Sequence, residues 1–159
     1  MSLTPANLKL VYEAACSAVY NLRQWPDHSK DRAGGYLVII DKISGILQSL
    51  ILVGQCEDKE ARKYQSFAIE KAVRLHLHTK HQSSYQSRDE GREKYQGAIK
   101  APNTNLIFSF SGFSESEDEV IALMAAIHLG SIEIDEAKEI AKLSGNALFV
   151  QYLVGYGPK

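Results

Sequence analysis

An α+β fold, an antiparallel sheet flanked by helices, is predicted by three observations on this chain of 159 residues. Two pairs of short β-rich runs are each joined by turn residues, which marks hairpins rather than the crossovers of a parallel sheet. Helical periodicities precede, separate and follow those hairpins. An alternating β pattern, Leu106-Ile-Phe-Ser-Phe-Ser111, then passes directly into a capped helix that is apolar on nearly every side.

The first element follows Thr4 and Pro5, which cap and begin a helix, and Leu8, Val11, Tyr12, Ala15, Val19 and Leu22 recur at helical spacing up to about Arg23. Residues 25–35, with Trp25, Pro26, Asp27, His28, Ser29 and two glycines, read as a loop. Residues 36–40 form a continuous β-branched run, 41–45 supply a turn, and 46–53 return as the second strand of a hairpin.

From Glu57 to about Thr79 the pattern is helical, with Ala61, Tyr64, Ala68, Ala72 and Leu75 on one stripe and Lys59, Arg62, Lys63, Glu70 and Arg74 mostly outside. Residues 80–94 are rich in Ser, Gln and charge and read as loop with a helical turn. A short strand around Tyr95 to Ile99, a turn through Pro102 to Asn105 and the strand Leu106 to Ser111 form the second hairpin.

Ser114 with Glu117 and Ser116 with Glu119 both satisfy capping-box spacing, so the next helix start is doubly specified. Its body, Val120 to Leu129, has His128 as its single strongly polar residue, and Gly130 stands at the C-cap. A helix apolar all round must be covered on more than one face, by the sheet and by either the C-terminal segment or another subunit. In that segment Asp135 is expected to cap a helix through Leu143, and residues 147–154 are read as a further helix, because an apolar edge strand there would invite aggregation.

Hydrophobic residues make up 45% of the chain and charged residues 23%, the balance of an ordinary globular domain, and the net charge of −1 argues against broad binding to nucleic acid or to a membrane surface. Residues 1–104 carry 15 Lys+Arg against 11 Asp+Glu, whereas residues 105–159 carry 3 against 8, so an anionic small ligand favours surfaces built by the first segment. Cys16 and Cys56 do not suggest a disulfide framework. With no basic n-region before an apolar run and no uninterrupted apolar span, the expected location is cytoplasmic.

Three stretches carry a family likeness. The hairpin Val38-Ile-Ile-Asp41 through Gly45-Ile-Leu47, the helix segment Ala68-Ile-Glu-Lys-Ala72 preceded by Phe67, and Gly97-Ala-Ile99 with Ser111-Gly112 and Asp118 stand in that order. In this the chain resembles the GlcG/HbpS-like family of haem-binding or haem-degrading-type domains, related to the PduO C-terminal domain. The resemblance covers roughly residues 6–130. It implies a profilin-like α/β/α sandwich, a small-molecule ligand of which haem is the family's candidate cofactor, and self-association as a homo-oligomer. The expected organisation is a GlcG-like domain over residues 1–130 and a C-terminal helical extension, 131–159, packed on the same domain.

No catalytic constellation stands in the sequence, and the reading is of a binding domain rather than an enzyme. No metal site is assigned. The residues assigned to ligand binding are Lys71, Arg74, His78, His81, Arg88 and Tyr95. Lys71 matches the family's lysine and, with Arg74, can face an anion; the ordinary alternative is a solvent-facing stem. In the cluster His76-Leu-His-Thr-Lys-His81, His78 and His81 are the better-spaced imidazole pair, against surface histidines at a helix end. Arg88, in a Ser-rich loop, can hold a phosphate or carboxylate. Tyr64, Tyr85 and Tyr95 offer flat rings, with Tyr64 also suited to the core. Asp118 is read as a structural cap, and the carboxylates around it repel an anion from that helix start. The alternative function is a protein-interaction module docking through the apolar last helix or the C-terminal extension, with no ligand.

Overall fold

A computed structural model describes residues 3–157; Met1, Ser2, Pro158 and Lys159, the ends of the expected domain limits, lie outside the described residues. The elements run α1 (Pro5–Arg23), β1 (Gly34–Asp41), β2 (Leu47–Gly54), α2 (Asp58–Leu77), two short 3-10 turns (Ser84–Ser87 and Glu90–Arg92), β3 (Ala98–Ala101), β4 (Leu106–Ser111), α3 (Glu115–Leu129), α4 (Ile134–Leu143) and α5 (Ala147–Tyr156). Among the described residues the strands form one four-stranded antiparallel sheet in the order β2-β1-β4-β3. The α+β class and the antiparallel sheet flanked by helices are therefore as expected.

The continuous apolar run of β1 is explained by its place between β2 and β4, with both faces covered. Leu37 and Ile39 point with Phe108 and Phe110 of β4 into a core shared with α1 and α3, whereas Val38, Ile40 and Ile107 point to α2. On that second face Ala68 and Ala72 are small enough to bring α2 close to the sheet, and the Ser109 hydroxyl donates to the Ala68 carbonyl at 2.8 Å. The result is three layers, with α2 on one face and α1 and α3 on the other.

α3 is buried along nearly its whole length beneath the sheet, α1 and the C-terminal helices. Its exposed-looking apolar surface in the sequence is thus closed within the chain. Tyr152 ties α5 to α1: its hydroxyl accepts from Asn21 at 3.1 Å, and its ring stacks on Trp25. No helix among the described residues is long and apolar enough to cross a membrane.

Several local expectations are corrected. The third strand begins at Ala98 rather than near Tyr95, because Gly97 adopts φ +138 and the Tyr95 and Gln96 backbone is held by side chains instead of by a strand partner. Only Ser114 and Glu117 make the capping box at α3; Glu119 turns inward, where it is wholly buried. The cap of α4 is Glu133, whose backbone amide donates to Glu136 at 3.1 Å, and Asp135 lies in the first turn. Lys71 and Arg74 are buried rather than solvent-facing, and Tyr64 is half-buried rather than core.

Candidate functional site

One cavity of about 510 Å³ opens where the start of α3 meets the middle of α2 and the loop before β1. Its volume falls within the range of small-molecule sites. α2 contributes Lys63, Tyr64, Phe67 and Lys71, at spacings of three and four residues that set them on one face. The loop before β1 brings Asp27, Ser29 and Arg32; Tyr95 comes from the stretch before β3; and the β4–α3 junction supplies Ser111, Phe113, Ser114, Glu115, Glu117 and Asp118.

At the cavity floor Lys71 Nζ lies 3.0 Å from Asp118 Oδ2 and donates to the Phe110 carbonyl at 2.7 Å. Asp118 Oδ1 accepts the Phe113 amide at 2.8 Å, so the carboxylate does help to cap the junction. The same group is also one half of a buried ion pair. Burial pushes the Asp118 carboxyl up to about 7, against the pull of the Lys71 ammonium and the Phe113 amide. Gly97 makes the arrangement sterically possible: a Cβ there would come within 2.6 Å of Lys71 Nζ and 3.0 Å of Asp118 Cβ.

The other acidic groups of the wall are compensated as well. Glu117 Oε2 lies 2.6 Å from His28 Nδ1, and His28 Nε2 lies 2.7 Å from the Arg32 carbonyl oxygen. A carbonyl can only accept, so Nε2 carries a proton, and the His28–Glu117 contact shares one further proton and is neutral as a pair. Glu115 takes two donations from Arg88, each at 2.8 Å, and the Gln96 amide at 2.9 Å. Although desolvation works against it, this hydrogen bonding holds the Glu115 carboxyl below its ordinary range.

The remaining lining is flat and hydroxylated. Phe67 and Tyr95 meet edge to face with centroids 5.3 Å apart. Among the described residues the side-chain hydroxyls of Tyr64, Tyr95 and Ser111, all on the cavity wall, have no hydrogen-bond partner in the protein. Among the described residues neither an imidazole nor a carboxylate is bonded to the Ser111 hydroxyl.

The six residues assigned from sequence are not brought together. Lys71 and Tyr95 line this cavity. Arg74 lies beside it but is fully engaged, donating to the Ser84 carbonyl (2.8 Å), the Ser87 hydroxyl (2.6 Å), the Tyr95 carbonyl (2.6 Å) and Glu70 (2.8 Å). Arg88 is bound to Glu115 and faces a separate, open depression with His81, Tyr85, Gln86 and Leu143. His78 and His81 stack with ring centroids 4.7 Å apart, away from the cavity, and desolvation together with the neighbouring His78 lowers the His81 pKa. His76 Nδ1 is spent on the Lys42 carbonyl at 2.8 Å. Among the described residues no group of three or more His, Cys, Asp or Glu is arranged to hold a metal ion.

Sequence reasoning missed Arg32, Phe67, Phe113 and Glu117 as parts of the wall, and His28 as the partner of Glu117 beneath it. Nothing in their local patterns marks them. The one usable signal was that Lys71 and Asp118 both belong to the matched family segments, 47 residues apart, and the fold joins them.

No family model matches the chain, and no curated protein matches it in sequence. Among solved structures it is similar to the crystal structure of Klebsiella pneumoniae protein ORFY, a DUF336 protein, with a TM-score of 0.50 and 12% sequence identity over 82% of this chain and 92% of that one. At this identity the likeness is one of fold. DUF336 is the GlcG-like family, so the neighbour has the fold that the sequence motifs implied.

Proposed function

We propose that this chain is a small-molecule-binding domain of the GlcG-like type that takes its ligand in the cavity between α2 and the start of α3. The supporting observation is the floor and wall of that cavity: a buried Lys71–Asp118 pair beside open Tyr64, Tyr95 and Ser111 hydroxyls. A concave wall with flat rings and a few convergent polar groups around a fixed charge pair suits a small ligand.

Haem, the cofactor implied by the family, is a poor match to the histidines. The cavity lining contains no histidine. His28 has both ring nitrogens engaged beneath the wall, and His76, His78 and His81 lie elsewhere. Phenol oxygens of Tyr64 and Tyr95 are the remaining iron-ligand type there. Protein-interaction readings through the apolar helix lose their basis for α3, which the chain itself covers; α5 leaves Val150 and Val154 exposed.

The test is an amide-resonance titration of the purified chain with a fragment library and, separately, with haemin. Saturable shifts grouped at Tyr64, Lys71, Tyr95 and Phe113, abolished by the cavity-filling substitution Ser111→Leu, are expected. Shifts confined to α5, or none at the cavity, would overturn the reading. A Soret change that disappears only when His76, His78 and His81 are replaced would instead place haem at the histidine cluster.

A further inference from the structure

One cation of the cavity wall, Arg32, is held by a backbone carbonyl rather than by a carboxylate. Lys71 is matched by Asp118, Glu115 by Arg88, and Glu117 shares a proton with His28. Lys63 reaches Glu60 at 3.5 Å on the exposed side, and Asp27 lies exposed at the rim. Arg32 has no carboxylate within ion-pair distance among the described residues; the neighbouring Asp31 is held by Ser29. Its Nη1 donates to the Phe113 carbonyl at 2.7 Å, which fixes the guanidinium against the wall it lines.

Resting on the reading above, we infer that the ligand is a small monoanionic carboxylate with a flat apolar body, its carboxylate received by Arg32. A guanidinium held at one nitrogen keeps further N–H groups in a planar fork that matches a carboxylate. The flat body lies against Phe113 and against Phe67 and Tyr95, whose rings already stand at right angles to each other. The acidic wall, with Asp27, Glu115, Glu117 and Asp118 in the lining, disfavours more than a single negative charge. With the deeper acids already compensated, a monoanion neutralises Arg32, whereas a phosphate dianion brings a second charge toward Asp118, Glu115 and Glu117.

Three probes separate the cases: benzoate, benzyl alcohol of similar shape without charge, and inorganic phosphate, each titrated against wild type and Arg32→Gln while cavity amide resonances are followed. Benzoate is expected to bind roughly tenfold or more tightly than benzyl alcohol, as charge-assisted hydrogen bonds allow. Arg32→Gln should erase that preference, benzoate falling to about the affinity of benzyl alcohol in the same variant. Benzyl alcohol binding as tightly as benzoate, a preference that survives Arg32→Gln, or tighter binding of phosphate would each overturn the inference and leave the cavity reading standing. If no probe moves the cavity resonances, both fall together.

Discussion

Lys71 Nζ and Asp118 Oδ2 lie 3.0 Å apart with their side chains only 2% and 4% exposed, so each charge depends on the other. Replacing a single member strands a buried charge, whereas replacing both removes the need for either. Lys71→Met is therefore expected to destabilise the fold by about 3–5 kcal/mol, and Lys71→Met with Asp118→Leu by clearly less than the sum of the single changes. Urea unfolding of the four proteins in the double-mutant cycle measures this. Additive effects would show that the two groups do not act as a pair.

Gly97 leaves room for that pair, and Gly130 gives a glycine with open space for comparison. Both have positive φ, +138 and +78, but a Cβ at Gly130 meets nothing within 4 Å whereas one at Gly97 runs into Lys71 Nζ and the Phe110 carbonyl. Gly130→Ala should cost about 1 kcal/mol, the backbone penalty alone. Gly97→Ala adds the collision and should cost about 3 kcal/mol or more. Thermal unfolding of the two variants side by side gives the difference, and equal losses would mean that Lys71 moves aside freely.

The architecture was legible because it rests on local signals. Periodicity in 5–23 and 57–79, two hairpin turns and a doubly specified helix start place the layers without any knowledge of long-range contacts. The cavity was not legible in the same way. Arg74 carries the pattern of an exposed helical residue, yet loop carbonyls from Ser84 and Tyr95 draw it inside. Arg32 sits between an acidic residue and an alanine before two glycines, a sequence that says loop and nothing more. Which charges end up paired depends on partners such as Lys71 and Asp118 that only the closed sheet brings together.

Glu119 gives the fold a pH dependence. Desolvation pushes its carboxyl up, opposed by donations from Ser144 (2.6 Å), Ser83 (2.7 Å) and Asn146 (3.0 Å). With a folded pKa above the unfolded one, the folded state holds more protons between the two values, and stability falls as pH rises through that window. Asp118, raised to about 7, acts in the same direction. The slope for one such group is at most about 1.4 kcal/mol per pH unit. Glu119→Gln keeps a carbonyl for Ser144 and Asn146 and places an amide donor toward Ser83. Denaturation midpoints should fall less between pH 5 and pH 8 in the variant than in wild type, and parallel profiles would show that Glu119 does not titrate in this range.

Arg74 ties the segment that delivers Tyr95 to the cavity. Its guanidinium spans the Ser84 carbonyl, the Ser87 hydroxyl and the Tyr95 carbonyl, anchoring both ends of a stretch whose own regular structure is two short 3-10 turns. A lysine has one nitrogen where three directed donors are needed, so Arg74→Lys does not restore the geometry. Loss of these charge-assisted bonds should cost about 2–4 kcal/mol and fall first on the local opening of residues 84–95 rather than on the sheet. Hydrogen exchange locates the effect. Amides of 84–95 should lose protection in both Arg74→Lys and Arg74→Met while those of β1 and β4 follow global stability. Uniform loss of protection across the chain would mean that Arg74 supports the whole fold and not this wall in particular.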